Sequence, residues 1–189
     1  YLKKIKKERY NFEVNSKETY ILTNNWFMAF FLFTVFIGTV YPIFTEVYNN
    51  TQISVGPPFY NLVIFPLMIP FLILMSFAPR TKWFSDKFKN YLKLFLVLFF
   101  SIIINFVITY FFNSYSFLSN LVIISAIFLI FYSLIDLYQT LKVKTFFDIS
   151  RIVSHLGFGL LIFFIIINHN FTVEKDFNLR VGERKVFQN

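Results

Sequence analysis

Five apolar stretches, 21–44, 60–78, 91–112, 118–141 and 149–168, are separated by shorter segments that hold most of the charge. A hydrocarbon core about 30 Å thick needs roughly 20 residues of helix, so each stretch predicts one membrane-spanning helix. Pro66 and Pro70 stand one turn apart in the second stretch and predict a kink there, with neighbouring helices satisfying the freed carbonyls. No internal repeat is visible. After 168 the pattern changes to a mixed-charge, strand-like segment with Glu174, Lys175, Asp176, Arg180, Glu183, Arg184 and Lys185. The expected organisation is a basic segment over 1–20, a five-span all-α transmembrane bundle over 21–168, and the start of an extracytoplasmic β-rich domain over 169–189.

Charge then orients the bundle. Of the 18 Lys and Arg residues, fourteen fall on one side: the run before the first span, the segment from Arg80 to Lys93, and Lys142, Lys144 and Arg151. The intervening 45–59 segment carries only Glu46, and the 113–117 turn carries no charge. The positive-inside rule puts the basic ends in the cytoplasm and the residues after 168 outside. The net charge of +8, which in a soluble chain would suggest nucleic acid, is thus explained by topology, and no nucleic-acid partner is expected. Composition agrees, since 57% hydrophobic residues with a mean hydropathy of +0.61 exceed what a water-facing surface of this size allows. Without cysteine there is no thiolate ligand or thiol nucleophile here. The basic start at Tyr1 lacks the short apolar core of a signal peptide and reads as the middle of something longer.

Chemistry-bearing residues are few. His155 lies inside the fifth span, in His155-Leu156-Gly157-Phe158-Gly159. An ionisable group at membrane depth is a functional-site hypothesis by default, and neutral imidazole is a common ligand of metals and of haem iron. Gly159 shares a helical face with it, and a missing side chain one turn away leaves room for a flat macrocycle. The plainer alternative is a histidine bonded to a neighbouring helix, with glycines serving close packing. Arg151, one turn before His155, fits either an inner-flank cation or a bidentate partner for a haem propionate. Asp136 is read as a carboxylate neutralised or hydrated near the inner end beside Lys142 and Lys144, with a proton-relay role or a place in a haem-associated polar pocket as the alternative. His169, at the outer end of the last span, is read as an interfacial residue. The outer loop over 46–61 is polar, and Gly56-Pro57-Pro58 is expected to form a stiff turn, suited equally to docking a partner or to tethering two helices.

Three stretches resemble one family: Asn24-Asn25-Trp26 leading to Gly38-Thr39-Val40-Tyr41-Pro42; Ile53-Ser54-Val55-Gly56-Pro57-Pro58-Phe59-Tyr60-Asn61; and Ser154-His155-Leu156-Gly157 followed by Phe171-Thr172-Val173-Glu174-Lys175-Asp176. Their order resembles the C-terminal half of the CcmF-type cytochrome c haem lyase of bacterial cytochrome c maturation. The resemblance implies a multi-pass protein of the bacterial inner membrane that joins haem, as transferred substrate, to an exported apocytochrome c. It also implies a structural haem b between transmembrane helices, and His155 matches one of its two axial ligands. Implied partners are the upstream or split-gene half of the haem lyase, a membrane haem chaperone, a thiol-reducing, apocytochrome-binding maturation subunit, apocytochrome c and membrane lipid. The family's tryptophan-rich haem-handling motif and its other histidines lie upstream, and this chain has only Trp26, Trp83, His155 and His169. No catalytic residue is therefore expected within it, and alone it is expected to be inactive. Readings from other classes are a small transporter or channel subunit, with Asp136 and His155 lining a polar path, or a structural subunit of a respiratory membrane complex.

Orientation is testable because the chain has no native thiol. Cysteines introduced at Asn50 and Asn178 are expected to react with an impermeant maleimide from outside, and one at Lys87 only from inside. Labelling of Asn50 from the cytoplasm alone would reverse the orientation.

Overall fold

Each helix begins and ends where the local chemistry changes. The computed structural model describes residues 16–50, 53–80, 91–112, 116–143 and 149–171. Ser16 caps α1, Lys17–Asn49, its hydroxyl accepting from the Thr19 amide at 3.3 Å, which starts the helix four residues before the apolar stretch. Asn50 ends it in the left-handed conformation at φ 50°. Gly56 precedes α2, Pro57–Phe77, and Pro57 and Pro58 occupy its first positions, where no amide donor is needed and φ is already helical. The expected stiff Gly-Pro-Pro turn is thus a helix start, and the loop between the first two spans shortens to about 50–56. A 3₁₀ turn, Ala78–Arg80, closes α2. The other helices are α3, Tyr91–Phe112, α4, Phe117–Val143, and α5, Ile149–Phe171.

All five helices are long and apolar enough to cross a membrane. They alternate in direction, so the N-termini of α1, α3 and α5 share one end, the basic end, with Lys17 and Arg151. The α2 helix continues through Pro66 and Pro70, both on its exposed side. Every described element is helical; the expected β-rich segment falls on 172–189, outside the described residues, as do most of the basic start and the 81–90 loop. His169 lies in the last turn of α5.

Burial separates the helices. In α4, 56% of the most apolar window is buried, against 17% to 22% in the others, so α4 is the centre. Its Val122, Ile123, Ala126 and Leu129 pack with Leu72 of α2 and Ile162 and Ile166 of α5. On its other side Phe128 and Tyr132 meet Val97 of α3. Lipid is as apolar as a protein core, so close approach and internal hydrogen bonds decide which faces pair. Gly159 supplies the approach between α5 and α4: a Cβ there would stand 3.0 Å from Ile130 Cγ1 and 3.4 Å from Leu129 Cγ. Polar side chains supply it between α3 and α4. The Asn105 amide donates to Asn120 Oδ1 at 3.4 Å, and the Thr109 hydroxyl lies 3.0 Å from that same oxygen. Buried hydroxyls elsewhere, Ser76, Ser101 and Thr34 among them, donate to the carbonyl one turn back and are satisfied without leaving their own helix.

The α1 helix leans on α2 at two places. Phe27 and Phe31 each meet Phe71 at 5.5 Å between ring centroids. Farther along, Gly38 lets the Tyr60 ring come so near that a Cβ would lie 2.5 Å from its hydroxyl oxygen. These two residues come from separate motif stretches, and the contact gives one physical reason for both.

Two packing predictions follow from the glycines. Gly38→Ala is expected to cost about 1–3 kcal/mol by overpacking, most of it recovered in Gly38→Ala/Tyr60→Ala relative to Tyr60→Ala alone, as read by thermal unfolding in detergent. Additive losses in that double-mutant cycle would show that Tyr60 does not require the glycine. Gly159→Leu is expected to lower the unfolding temperature of the haem-free protein, because the added side chain must displace Ile130 and Leu129; an unchanged temperature would argue against the tight α4–α5 contact.

Candidate functional site

Between α1 and α5, where both border α2, lies a cavity of about 540 Å³. Three helical stripes wall it. From α1 come Lys17, Tyr20, Asn24 and Phe27, spaced by three or four residues so that they share one face. From α5 come Arg151, Ser154, His155 and Phe158, again one face. From α2 and the 3₁₀ turn come Phe71, Leu74, Met75 and Pro79. Because α1 and α5 both run inward from the basic end, their polar residues lie at that end and their phenylalanines lie deeper. The cavity is therefore amphipathic: cationic and hydrogen-bonding at one end, aromatic at the other. Phe71 joins the deep walls, meeting Phe27 at 5.5 Å and Phe158 edge-on at 5.9 Å.

His155 sits between these two zones. Its Nδ1 lies 2.9 Å from the Arg151 carbonyl oxygen. A carbonyl only accepts, so Nδ1 carries the proton and donates, which leaves the lone pair on Nε2. That is the tautomer of a histidine ligand, whose other ring nitrogen commonly donates to a backbone carbonyl and so fixes the ring. Among the described residues no three His, Cys, Asp or Glu side chains come together to cage an ion. A single imidazole suits a metal that arrives with its own ring of donors, and haem iron is the biological instance. The flat aromatic walls, the lone imidazole and the cationic mouth fit such a group.

The other sequence-derived candidates are distributed unevenly. Arg151 lines the cavity and its carbonyl orients His155. Gly159 does not: it is buried, and the space left by its missing side chain is taken up by α4. Gly157 is the open position, with nothing within 4 Å of a built Cβ. His169 is exposed at the far end of α5, its Nε2 3.2 Å from Asn61 Nδ2 and its ring edge-on to Phe65 at 6.2 Å. An amide N–H donates there, so Nε2 accepts and His169 ties α5 to the start of α2. Asp136 corrects an expectation: it is only 6% exposed, while Lys142 is exposed, so this carboxylate is buried in the bundle and not hydrated at its end. It does not line the cavity.

Lys17, Tyr20 and the phenylalanines were not singled out by sequence. Lys17 was counted among the orienting charges, although its spacing to Tyr20, Asn24 and Phe27 on one helical face was a readable signal. Which of the 30 phenylalanines matter had no signal, because lipid-facing and cavity-facing rings have the same pattern.

The chain as a whole is similar to known proteins. The chain is 28% identical over 94% of its length to the cytochrome c-type biogenesis protein CcmF of Haemophilus influenzae, covering 29% of that protein. To CcmF of Escherichia coli it is 25% identical, over 94% of this chain and 28% of the relative. A shorter match, 38% identical over 64 residues, is to the cytochrome c-type biogenesis protein NrfE of Haemophilus influenzae and covers 34% of this chain and 10% of that one. The chain thus spans less than a third of the length of the relatives it matches. No family model and no solved structure matches it. The resemblance carried by the three motif stretches is borne out: nearly the whole chain is similar to part of CcmF-type cytochrome c biogenesis proteins.

Proposed function

We propose that this chain, a segment of CcmF type, holds a haem b in the cavity between α1, α2 and α5, with His155 as one axial ligand. In this reading it serves, with the upstream part of the haem lyase, the transfer of haem to exported apocytochrome c and its covalent attachment there. The similarity to cytochrome c-type biogenesis proteins supports the process. One geometric observation carries the site: the Nδ1–Arg151 carbonyl bond at 2.9 Å, which leaves His155 Nε2 as the lone-pair nitrogen in an aromatic cavity.

The chain's own residues would act as follows. His155 would hold the iron through Nε2, and the Arg151 carbonyl holds the ring against rotation. Phe27, Phe71 and Phe158 exclude water from the deep end and offer flat apolar contact. Gly159 brings α4 close behind α5 and so stiffens the helix that carries the ligand. When bound, haem supplies one-electron chemistry whose potential is tuned by its axial ligands and by burial. The basic end is read as cytoplasmic and the opposite end, with the Gly56 turn and the Asn61–His169 contact, as facing outward at the inner membrane. The membrane haem chaperone, the thiol-reducing maturation subunit and the apocytochrome would then meet the complex on that outer side.

In the assembled haem lyase, His155→Ala is expected to remove most haem b absorbance and to abolish cytochrome c maturation, since alanine cannot replace an iron bond. His169→Ala is expected to leave haem b nearly intact. A normal haem b spectrum with continued maturation in His155→Ala would make His155 a packing residue and remove the reading's basis.

A further inference from the structure

The α1 helix has two seams, and the described bundle fills one of them. Phe27, Thr34 and Gly38 are buried and, with Phe31, recur every three or four residues along the side that packs on α2. On the opposite side Leu22, Asn25, Ala29, Leu32, Phe36 and Thr39 are spaced alternately by three and four residues, and all six are exposed. That alternation is the one by which helices meet along a seam. We infer that the outer face of α1 receives a transmembrane helix from the rest of the CcmF-type protein, with Asn25 hydrogen-bonded across the contact. The inference rests on the reading of the chain as a segment of such a protein and is separate from the haem b site.

Lipid alone is a poor occupant for this face. Asn25 is exposed and makes no side-chain hydrogen bond to a described residue. It precedes Phe27, which meets Phe71, so it stands level with α2 about one turn inside that helix's end at Phe77. An amide turned to hydrocarbon there gives up its bonds to water and gains none in exchange. The α3 helix shows how the same bundle sorts such groups. Its Ser101 and Asn105 are buried and its Thr109 half-buried, Asn105 and Thr109 both reaching Asn120 of α4. Its exposed side, from Leu92 to Phe111, carries only large apolar and aromatic side chains. Polar residues thus mark the side of α3 that meets protein and are missing from the side that does not. By that standard the outer face of α1, with an amide at Asn25 and the small Ala29 one turn on, is a side that meets protein: small residues admit a close approach, and polar ones bond across it. The occupant follows from what is always at hand. The segment covers 29% and 28% of the two CcmF relatives, so most of such a protein lies outside it and accompanies every copy of α1, whereas a second copy of the segment has to be recruited. The matching helix is expected to carry Asn, Gln, Ser or Thr level with Asn25 and a side chain that seats against Ala29.

Benzoylphenylalanine, a photo-cross-linking residue, placed at the exposed Leu32 in the assembled haem lyase and followed by mass spectrometry of the product, reads the occupant directly. The expected product joins position 32 to an apolar helix outside this segment, while the same probe at Phe99, on the exposed side of α3, gives no protein product. A Leu32 product with lipid alone, or with a second copy of this chain, would overturn the inference. Asn25→Leu gives a second readout whose sign decides. Against lipid, leucine removes a polar group from hydrocarbon and raises the thermal unfolding midpoint of the assembled lyase. Across a helix contact it removes a hydrogen bond, and the expected result is a midpoint lower by about 1–2 °C, with Asn25→Gln recovering part of the loss. A raised or unchanged midpoint in Asn25→Leu counts against the seam. The two readings fail separately: a lipid-only product with haem b lost in His155→Ala removes the seam and leaves the haem site, whereas a product with an outside helix and haem b kept in His155→Ala leaves the seam and removes the haem site.

Discussion

The burial of α4 is the constraint on which the other helices depend. In a hydrocarbon surround, water does not drive helices together, and α4 gathers its neighbours by other means: the gap at Gly159, the interdigitated aliphatic side chains toward α2 and α5, and the Asn105, Thr109 and Asn120 bonds toward α3. With α2 and α5 both held on α4, and α1 packed, among the described residues, mainly on α2 and the turn that closes it, a trough is left between α1 and α5. The cavity is that trough.

A good part of this was legible in the chain. Membrane helices announce themselves because about 20 apolar residues are a physical requirement, and all five appear near their expected positions. Their ends are less legible: Ser16 caps α1 five residues upstream of the apolar run, and Pro57-Pro58 opens a helix where the sequence alone suggests a turn, since proline serves both. Arrangement is not legible, because the few polar residues of α3 and α4 do not tell one helix from the other and only contacts distinguish the helix that is central. His155 stood out by residue type alone. Gly159 shows the limit of spacing arguments, since a missing side chain near a histidine makes room for a helix as readily as for a ligand, and here the helix fills it. Asp136 shows another: its position near a helix end suggests hydration, but its own side chain faces into the bundle and is buried, while Tyr138 and Leu141 just beyond it are exposed.

The three motif stretches acquire a common meaning once folded. Gly38 and Tyr60 join α1 to α2, Asn61 and His169 join α2 to α5, and Asn24 and His155 both line the trough. The first two pairs are far apart in sequence and hold neighbouring helices together.

The length of α1 has its own consequence. At 33 residues it is about 50 Å long, roughly 20 Å more than the hydrocarbon it crosses. Such mismatch is absorbed by tilting, and the tilt changes with bilayer thickness. α1 is packed on α2 at Phe27, Phe31 and Gly38 and on the 3₁₀ turn that closes α2, so its tilt is set against these elements. Lys17, at the start of α1, lines the cavity with Ala78 and Pro79 of that turn, so a change of tilt bears on the cavity wall. The thickness of the bilayer is in that sense a mechanical neighbour of the cavity.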